Sequence, residues 1–284
     1  MRLAVNGVQL RLEVSGAAGG EPLVLLHGFT GCAANWRALS AAWAGRYQSV
    51  AFDLLGHGRS DAPADPARYA MAATVADLAA VLDQLGLRRV VVLGYSLGGR
   101  VALHFAAAYP EWVRALILES ASPGLATAAE RQARIATDEA LAARLERDGL
   151  QAFVDYWERL PLFASQTRLS AEARAALRAQ RLQNNPAGLA NSLRGLGTGA
   201  QPALWDHLPA IATPTLLVAG ALDEKFTLIA QQMAARLPNA RLDLVPDAGH
   251  TVHLEQPEAF IASVAGFLED QRPRMTRMGL NNSA

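Results

Sequence analysis

The chain has 284 residues, 51% hydrophobic and 18% charged, so it can bury a substantial core as one large domain or one domain with an insertion. Its 26 basic residues equal its 26 acidic residues, which excludes a nucleic-acid or anionic-membrane partner held by bulk charge. A single cysteine, Cys32, excludes an internal disulfide framework and a cysteine-rich zinc site. No apolar run approaches the roughly 20 residues of a membrane span, and we expect a cytoplasmic protein.

Strand-like and helix-like stretches alternate along most of the chain. Two N-terminal segments joined by Asn6-Gly7 predict antiparallel strands at one edge of a sheet. Continuous apolar runs separated by helical stretches then predict a mostly parallel, doubly wound sheet with helices on both faces, which is an α/β fold. These runs are PLVLLHG, SVAFDLLG, VVVLGYS, ALILESASP, PTLLVAGALD and ARLDLVPDAGH.

The alternation of strand-like and helix-like stretches stops in the middle of the chain. Residues 123–202 have helical spacing and lack strand-like runs, so we predict an all-helical cap inserted into the sheet domain. The two halves of that domain are residues 1–122 and 203–270. The end of the chain, residues 271–284, is predicted to be a flexible tail.

A serine lies between two glycines directly after the third apolar run. In the stretch GYSLG, Ser96 is bracketed by Gly94 and Gly98, which leave room for a strained turn that lifts the hydroxyl above the sheet. This G-x-S-x-G pattern predicts a nucleophile elbow. The alternative is an ordinary strand-to-helix turn in which Ser96 caps the helix.

Backbone N–H groups near this serine are candidates for an oxyanion hole. The first apolar run ends in His-Gly-Phe, and the N–H of Phe29 can join that of Leu97 in facing a developing negative charge. Cys32 follows shortly after, and without a paired base near it in sequence we expect a packing residue rather than a nucleophile.

An acid and a histidine follow the last two strands. Asp223 comes just after one and His250 after the next, so the chain order Ser, Asp, His is that of an α/β-hydrolase triad. In this hypothesis His250 takes the Ser96 proton and Asp223 fixes the histidine tautomer. Alternatively, Asp223 is a turn residue and His250 a buried imidazole. Glu224 is the substitute acid, and His253 is expected to be a packing or rim residue.

Motifs that extend from about Leu23 to Leu268 point to one family. These motifs include LVLLHGFTGCAANW, FDLLGHGRSDAP and DAGHTVHLEQP. Within them, HGF and GHGRSD are shared by many α/β-hydrolases, whereas GYSLGGR, ESASPGL and the cap stretch NNPAGLANSL discriminate between families. Together they resemble the 2-succinyl-6-hydroxy-2,4-cyclohexadiene-1-carboxylate synthase family of menaquinone biosynthesis. The resemblance implies an α/β-hydrolase fold with a helical cap.

The resemblance also implies a reaction. A tricarboxylate substrate would lose a ring proton to Ser96, activated by His250, and expel pyruvate, with no metal or cofactor. The alternative is a carboxylesterase or carbon-carbon bond hydrolase that uses the same triad through an acyl-enzyme. A ligand sensor that uses the triad as a pocket is a third hypothesis. We expect a small-molecule substrate, neither nucleic acid nor membrane as partner, and a monomer or small homo-oligomer.

A substrate with three carboxylates requires fixed cations near the serine. Arg100 lies about one helical turn after Ser96, so its guanidinium can reach back toward the pocket. Alternatively, the arginines solvate helix faces and the aromatic side chains belong to the core. The substrate-binding residues that the resemblance implies are Arg100, Arg134, Arg181, Tyr95 and Trp157.

Several neighbouring residues compete for these roles. Arg131 and Arg144 lie close enough in sequence to replace Arg134, and Gln183 and Asn185 are weaker candidates. The chain departs from the family pattern at Pro186, which is expected to alter the turn that presents the preceding arginine.

Overall fold

The structure, a computed structural model, describes residues 1–271. Its strands are β1 (Arg2–Val5), β2 (Val8–Gly16), β3 (Glu21–Leu26), β4 (Tyr47–Phe52), β5 (Val90–Tyr95), β6 (Val113–Glu119), β7 (Thr215–Gly220) and β8 (Ala240–Val245). They form one sheet in the order β1-β2-β4-β3-β5-β6-β7-β8. Strands β3 to β8 pair in parallel, and β1 and β2 add an antiparallel edge.

Helices cover both faces of this sheet. The helices are α1 (Arg37–Trp43), α2 (Met71–Gln84), α3 (Leu97–Ala108), α4 (Ala128–Trp157), α5 (Ala171–Arg181), α6 (Pro186–Leu196), α7 (Glu224–Ala234), α8 (Val252–Glu255) and α9 (Pro257–Asp270). Residues of α2, α3 and α7 pack into one core, and residues of α1 and α9 pack into the other. The α/β fold predicted from the alternating pattern is confirmed.

Strand β3 explains why the apolar runs are continuous. Val24 and Leu26 contribute to one core while Leu23 and Leu25 contribute to the other, and all four side chains are fully buried. Successive side chains of a strand point to opposite faces, so a strand covered on both faces needs apolar residues at every position. Burying each such leucine stabilises the fold by about 1.5–3 kcal/mol.

The predicted hairpin at the N-terminus is also confirmed. Strands β1 and β2 pair antiparallel, with Val5 opposite Val8. Asn6 and Gly7 between them have φ of 46° and 81°. A two-residue turn of the hairpin-favouring type requires positive φ at both positions, and Asn-Gly accepts it at little cost.

The segment between β6 and β7 forms a helical cap from α4, α5 and α6. Helix α4 is broken at Gly149, where φ is 80°. The cap is seated closely on the sheet domain, since a Cβ added to Gly56 would lie 2.6 Å from the carbonyl oxygen of Gly188. Asn184 adds hydrogen bonds across the same junction, accepting from Gly58 N at 2.8 Å and donating to Thr30 O at 2.9 Å. These contacts hold the cap over one edge of the sheet.

Two further expectations concern the chain as a whole. Within residues 1–271, none of the helices combines the length and the apolar character that a membrane crossing needs. The tail predicted for residues 271–284 lies, apart from Gln271, outside the described residues.

Candidate active site

Ser96 occupies a strained turn between β5 and α3. Its φ of 51° and ψ of −107° are unusual for a residue with a side chain. The flanking glycines are required sterically, because a Cβ on Gly94 would clash with the Gly98 carbonyl and a Cβ on Gly98 with the Leu26 carbonyl. The turn therefore presents the Ser96 hydroxyl at the carboxyl edge of the sheet, as a nucleophile elbow does.

The structure brings Ser96, His250 and Asp223 together. Nε2 of His250 lies 3.0 Å from Oγ of Ser96, and its Nδ1 lies 2.7 Å from Oδ2 of Asp223. A carboxylate can only accept, so Nδ1 carries the proton and Nε2 is free to accept from the serine. Asp223 is fixed in turn, since its Oδ1 accepts from Phe226 N at the start of α7. Glu224, the substitute acid, is exposed and makes no hydrogen bond to His250 within the described chain.

Two N–H donors lie beside the serine. Phe29 and Leu97 both line the cavity that holds Ser96. Leu97 is the first residue of α3, where the backbone N–H has no partner within the helix. Among residues 1–271, neither N–H finds an acceptor, and both are available to a substrate oxygen.

His253 is a packing residue and not a rim residue. Its ring is 3% exposed and stacks on Trp36 at 4.7 Å between centroids. Nδ1 lies 2.9 and 2.8 Å from the carboxylate oxygens of Glu119, which is fully buried at the end of β6. Of the two expected placements, packing or rim, the structure shows packing, because the ring is enclosed by Trp36 and Glu119.

A cavity of about 320 Å³ lies between Ser96 and the cap. This is within the range typical of small-molecule sites. Its lining includes three permanent cations, and among the described lining residues there is no carboxylate. The cations are Arg100, Arg134 and Lys225. In a chain of zero formal net charge, this local excess favours an anionic ligand.

Two of the expected arginines line this cavity. The Arg100 side chain is buried, and its Nη1 donates to Leu196 O at 2.7 Å and to Gln201 Oε1 at 3.0 Å. Burial, and secondarily the charge of Arg134, lowers the pKa of Arg100 to about 10, so it stays protonated at neutral pH. The Arg134 side chain is 40% exposed and pairs with buried Asp138 at 2.7 Å.

The two expected aromatic residues also line the cavity. The Tyr95 hydroxyl hydrogen bonds to Thr251 Oγ1 at 2.8 Å, and burial raises the pKa of this phenol. The Trp157 ring stacks on Phe153 at 5.7 Å and meets Phe29 edge-on. Its Nε1 is buried and has no hydrogen-bond partner in the described chain.

Arg181 is not brought to this cavity. Its guanidinium pairs with Glu158 at 3.1 Å, lies over the Phe163 ring and lines a separate space of about 30 Å³ behind Tyr95. Burial lowers the pKa of Arg181, and Glu158 opposes that effect. The cap supplies this arginine with its own carboxylate, and its contact with substrate stays a prediction. Pro186 is the first residue of α6, a position that proline favours, and its effect on the preceding turn stays a prediction.

The weaker candidates lie elsewhere. Arg131 donates to Leu125 O and Ala126 O, and Arg144 lies over the Tyr156 ring and pairs with Asp148 at 3.6 Å. Gln183 is exposed, and exposed Asn185 caps α6 by accepting from Gly188 N.

Cys32 does not line the cavity that holds Ser96. Burial, with a contribution from the charge of Asp53, raises the pKa of its thiol to about 11, so it is not a ready nucleophile. For metals, the described residues contain no group of three or more His, Cys, Asp or Glu side chains able to hold an ion.

Three cavity residues were missed from the sequence. Lys225 lines the cavity from the first turn of α7. The hydroxyls of Ser120 and Ser192 are buried in its wall without a hydrogen-bond partner among residues 1–271. The signal for Lys225 was available, since it is the one lysine of the sequence and follows the triad acid by two positions. The serines carry no such signal.

Comparisons with known proteins agree with this geometry. The α/β hydrolase fold family matches residues 21–257. A putative 2-succinyl-6-hydroxy-2,4-cyclohexadiene-1-carboxylate synthase from Bacillus subtilis is 48% identical over 93% of this chain and 96% of its own length. The synthase of that name from Serratia proteamaculans is 38% identical over 87% of this chain and 92% of its own.

Solved structures give the same result. MenH from S. aureus superposes with a TM-score of 0.88 at 36% identity, covering 93% of this chain and 99% of that one. A thermophilic esterase from Thermogutta terrifontis, determined with malate bound, superposes with a TM-score of 0.85 at 28% identity, covering 96% of this chain and all of that one. With its Ser-His-Asp geometry and these relatives, the chain belongs to the α/β hydrolase fold family and, within it, to the 2-succinyl-6-hydroxy-2,4-cyclohexadiene-1-carboxylate synthase family.

Proposed function

We propose that this chain is a pyruvate-eliminating lyase. It converts 2-succinyl-5-enolpyruvyl-6-hydroxy-3-cyclohexene-1-carboxylate into 2-succinyl-6-hydroxy-2,4-cyclohexadiene-1-carboxylate, the step of menaquinone biosynthesis for which its relatives are named. The observation that carries the proposal is the charge of the cavity beside Ser96, which is lined by three permanent cations and, among its described residues, no carboxylate. A neutral ester would gain nothing from such a lining, whereas a tricarboxylate gains charge-assisted hydrogen bonds of about 1.5–3 kcal/mol each.

The proposed mechanism uses Ser96 as a base and not as a nucleophile. His250 accepts the Ser96 proton through Nε2, and the 3.0 Å separation supports this transfer. The serine oxygen then removes the ring proton at C2, which is acidic because it lies next to the succinyl ketone. Asp223 holds the histidine tautomer and stabilises the imidazolium.

The electrons released at C2 complete the elimination. Negative charge develops on the succinyl carbonyl oxygen, which the N–H groups of Phe29 and Leu97 are proposed to bind. The ring double bond shifts, the C5–O bond breaks, and the enolate of pyruvate leaves. This enolate takes the proton that His250 holds, while the ring proton restores the Ser96 hydroxyl. The reaction balances without water or an acyl-enzyme.

Pyruvate release from the cyclohexene substrate tests the proposal. Purified protein is mixed with the substrate, and pyruvate is followed together with the ultraviolet absorbance of the diene. Release well above the spontaneous rate supports the lyase. Background release combined with rapid hydrolysis of simple esters contradicts it and favours an esterase that works through an acyl-enzyme, as the superposition with the Thermogutta esterase would permit.

A further inference from the structure

The sole lysine of the chain lies in the candidate active site. Lys225 follows Asp223 by two residues, belongs to the first turn of α7 and lines the same cavity as Ser96, Arg100 and Arg134. Its side chain is also exposed to solvent, so it lies where the cavity opens. The other 25 of the 26 lysine and arginine residues are arginines.

The charge of Lys225 is uncompensated. Throughout residues 1–271, no carboxylate lies within ion-pair distance of its ammonium, which lies over the Phe226 ring, 5.8 Å from the centroid. Both arginines of the cavity, in contrast, have hydrogen-bond acceptors within the chain, although only Arg134 has a carboxylate partner among the described residues. Arg134 is paired with Asp138, and Arg100 donates to Leu196 O and to an oxygen of Gln201.

Helix stability does not explain a lysine at this place. The N-terminal turn of a helix carries the positive end of the macrodipole, which favours acidic side chains and disfavours cations. Asp223 and Glu224 fit that preference, whereas Lys225 opposes it. Lys225 therefore has neither a carboxylate partner among the described residues nor a helix-stabilising role, and an anion that enters the cavity gives it a partner of opposite charge.

We propose that the Lys225 ammonium binds a carboxylate of the substrate at the opening of the cavity and makes the site specific for anions. The inference rests on the proposed function, because a tricarboxylate offers a carboxylate to each of three cations. Arg100 and Arg134 supply two, and Arg181 is paired with Glu158 outside the cavity. Lysine acts as a compact point charge, so it can follow a carboxylate without the fixed geometry of a guanidinium.

Steady-state kinetics of Lys225 variants test the proposal. Lys225→Met is expected to raise KM for the cyclohexene substrate at least about tenfold with a smaller change in kcat, since it removes binding and leaves the Ser96 machinery in place. Lys225→Arg restores a charge and is expected to recover KM to within about threefold of wild type. Glu224→Gln changes the adjacent exposed residue of the same helical turn and is the matched control, expected to leave KM unchanged. An unchanged KM in Lys225→Met, with wild type active, overturns the inference and leaves the proposed function standing.

Chemical modification provides a readout that is independent of turnover. Because the chain has one lysine, limiting acetic anhydride can acetylate two amines, Lys225 and the α-amine of Met1. Mass spectrometry of the digested protein measures the two sites separately. 2-Succinylbenzoate, an aromatic analogue with the ring and succinyl carboxylates, and pyruvate are used separately as protecting ligands. Slower labelling of Lys225 at constant Met1 labelling supports the inference, and the ligand that protects identifies the carboxylate. If the wild-type protein releases no pyruvate, the proposed function fails, but the labelling experiment still tests anion binding at Lys225. If neither ligand slows the labelling of Lys225, the inference is overturned.

Discussion

The hydroxyl oxygen of Ser96 lies 3.0 Å from Nε2 of His250, although the two residues are 154 positions apart in the chain. Because the hydroxyl projects from a turn into the cavity and the other elbow contacts belong to glycines, its removal should leave the fold intact. We expect Ser96→Ala to lower kcat for pyruvate release at least about a thousandfold. Circular dichroism is the control, and loss of the folded spectrum would mean that Ser96 is structural.

Arg134 belongs to the cap helix α4 and contributes a positive charge to the lining of the cavity. We expect Arg134→Ala to lower kcat/KM for the tricarboxylate about tenfold or more, or about 1.4 kcal/mol, since an anion loses a charged partner. Hydrolysis of p-nitrophenyl acetate, a neutral ester, measures the same machinery without that partner and should change little. Arg174→Ala, an exposed arginine of α5, is the matched control for the cap surface. Equal losses on both substrates would contradict a role in binding anions.

The sequence predicted those features that depend on local signals. Apolar runs specify the strands, and the glycines around Ser96 specify a turn whose geometry only they permit. The Ser, Asp, His order was legible because each residue follows a strand, and parallel strands end at one edge of the sheet.

Side-chain pairs whose members lie far apart in the chain could not be predicted from the sequence. Arg181 pairs with Glu158, 23 positions earlier on another cap element, so its charge could not be assigned to the substrate or the cap in advance. His253 hydrogen bonds to Glu119 across 134 positions, so the sequence left open whether it packs in the core or lies at the rim. The fold fixes such pairings through packing of whole elements, and no periodicity records them.

That buried pair leads to a prediction about stability. His253→Ala removes the ring that hydrogen bonds to the fully buried Glu119 side chain and leaves that side chain with the backbone N–H of residue 253. Leaving a buried polar group without its partner costs about 1–3 kcal/mol in the free energy of unfolding, measured by urea denaturation. Glu119→Gln, which removes the charge and keeps the shape, should lose less. A His253→Ala protein as stable as wild type would show that the pair contributes nothing.

The close contact between Gly98 and the end of β3 has a separate consequence. A Cβ at Gly98 would overlap the carbonyl of Leu26, so Gly98→Ala must displace the backbone of the elbow. Overpacking of this kind costs about 1–3 kcal/mol, and pyruvate release should fall together with stability. Gly45→Ala is the matched control, since nothing lies within 4 Å of a Cβ there. The measurements are urea unfolding and kcat, and an unaffected Gly98→Ala would contradict the described elbow.

Two buried histidines near the site make stability depend on pH. Burial lowers the pKa of His27 to about 4 and that of His57 to about 3. Both are hydrogen bonded as neutral rings, and Nε2 of His27 accepts from Leu54 N at 3.0 Å, which a protonated ring cannot do. The unfolded chain takes up these protons near pH 6.5, whereas the folded chain does not.

The folded state therefore has its full stability above pH 6.5 and loses it as the pH falls toward 4 and 3. Each histidine contributes a loss of up to about 1.4 kcal/mol per pH unit, and between pH 6.5 and 5 ordinary carboxylates contribute little because their pKa values lie lower. Urea unfolding at pH 7.5, 6.5, 5.5 and 5 measures this slope. His57→Asn, which removes one titrating ring, should be less stable at pH 7.5 but should show a shallower decline. An identical slope in the variant would mean that protonation of His57 does not accompany unfolding.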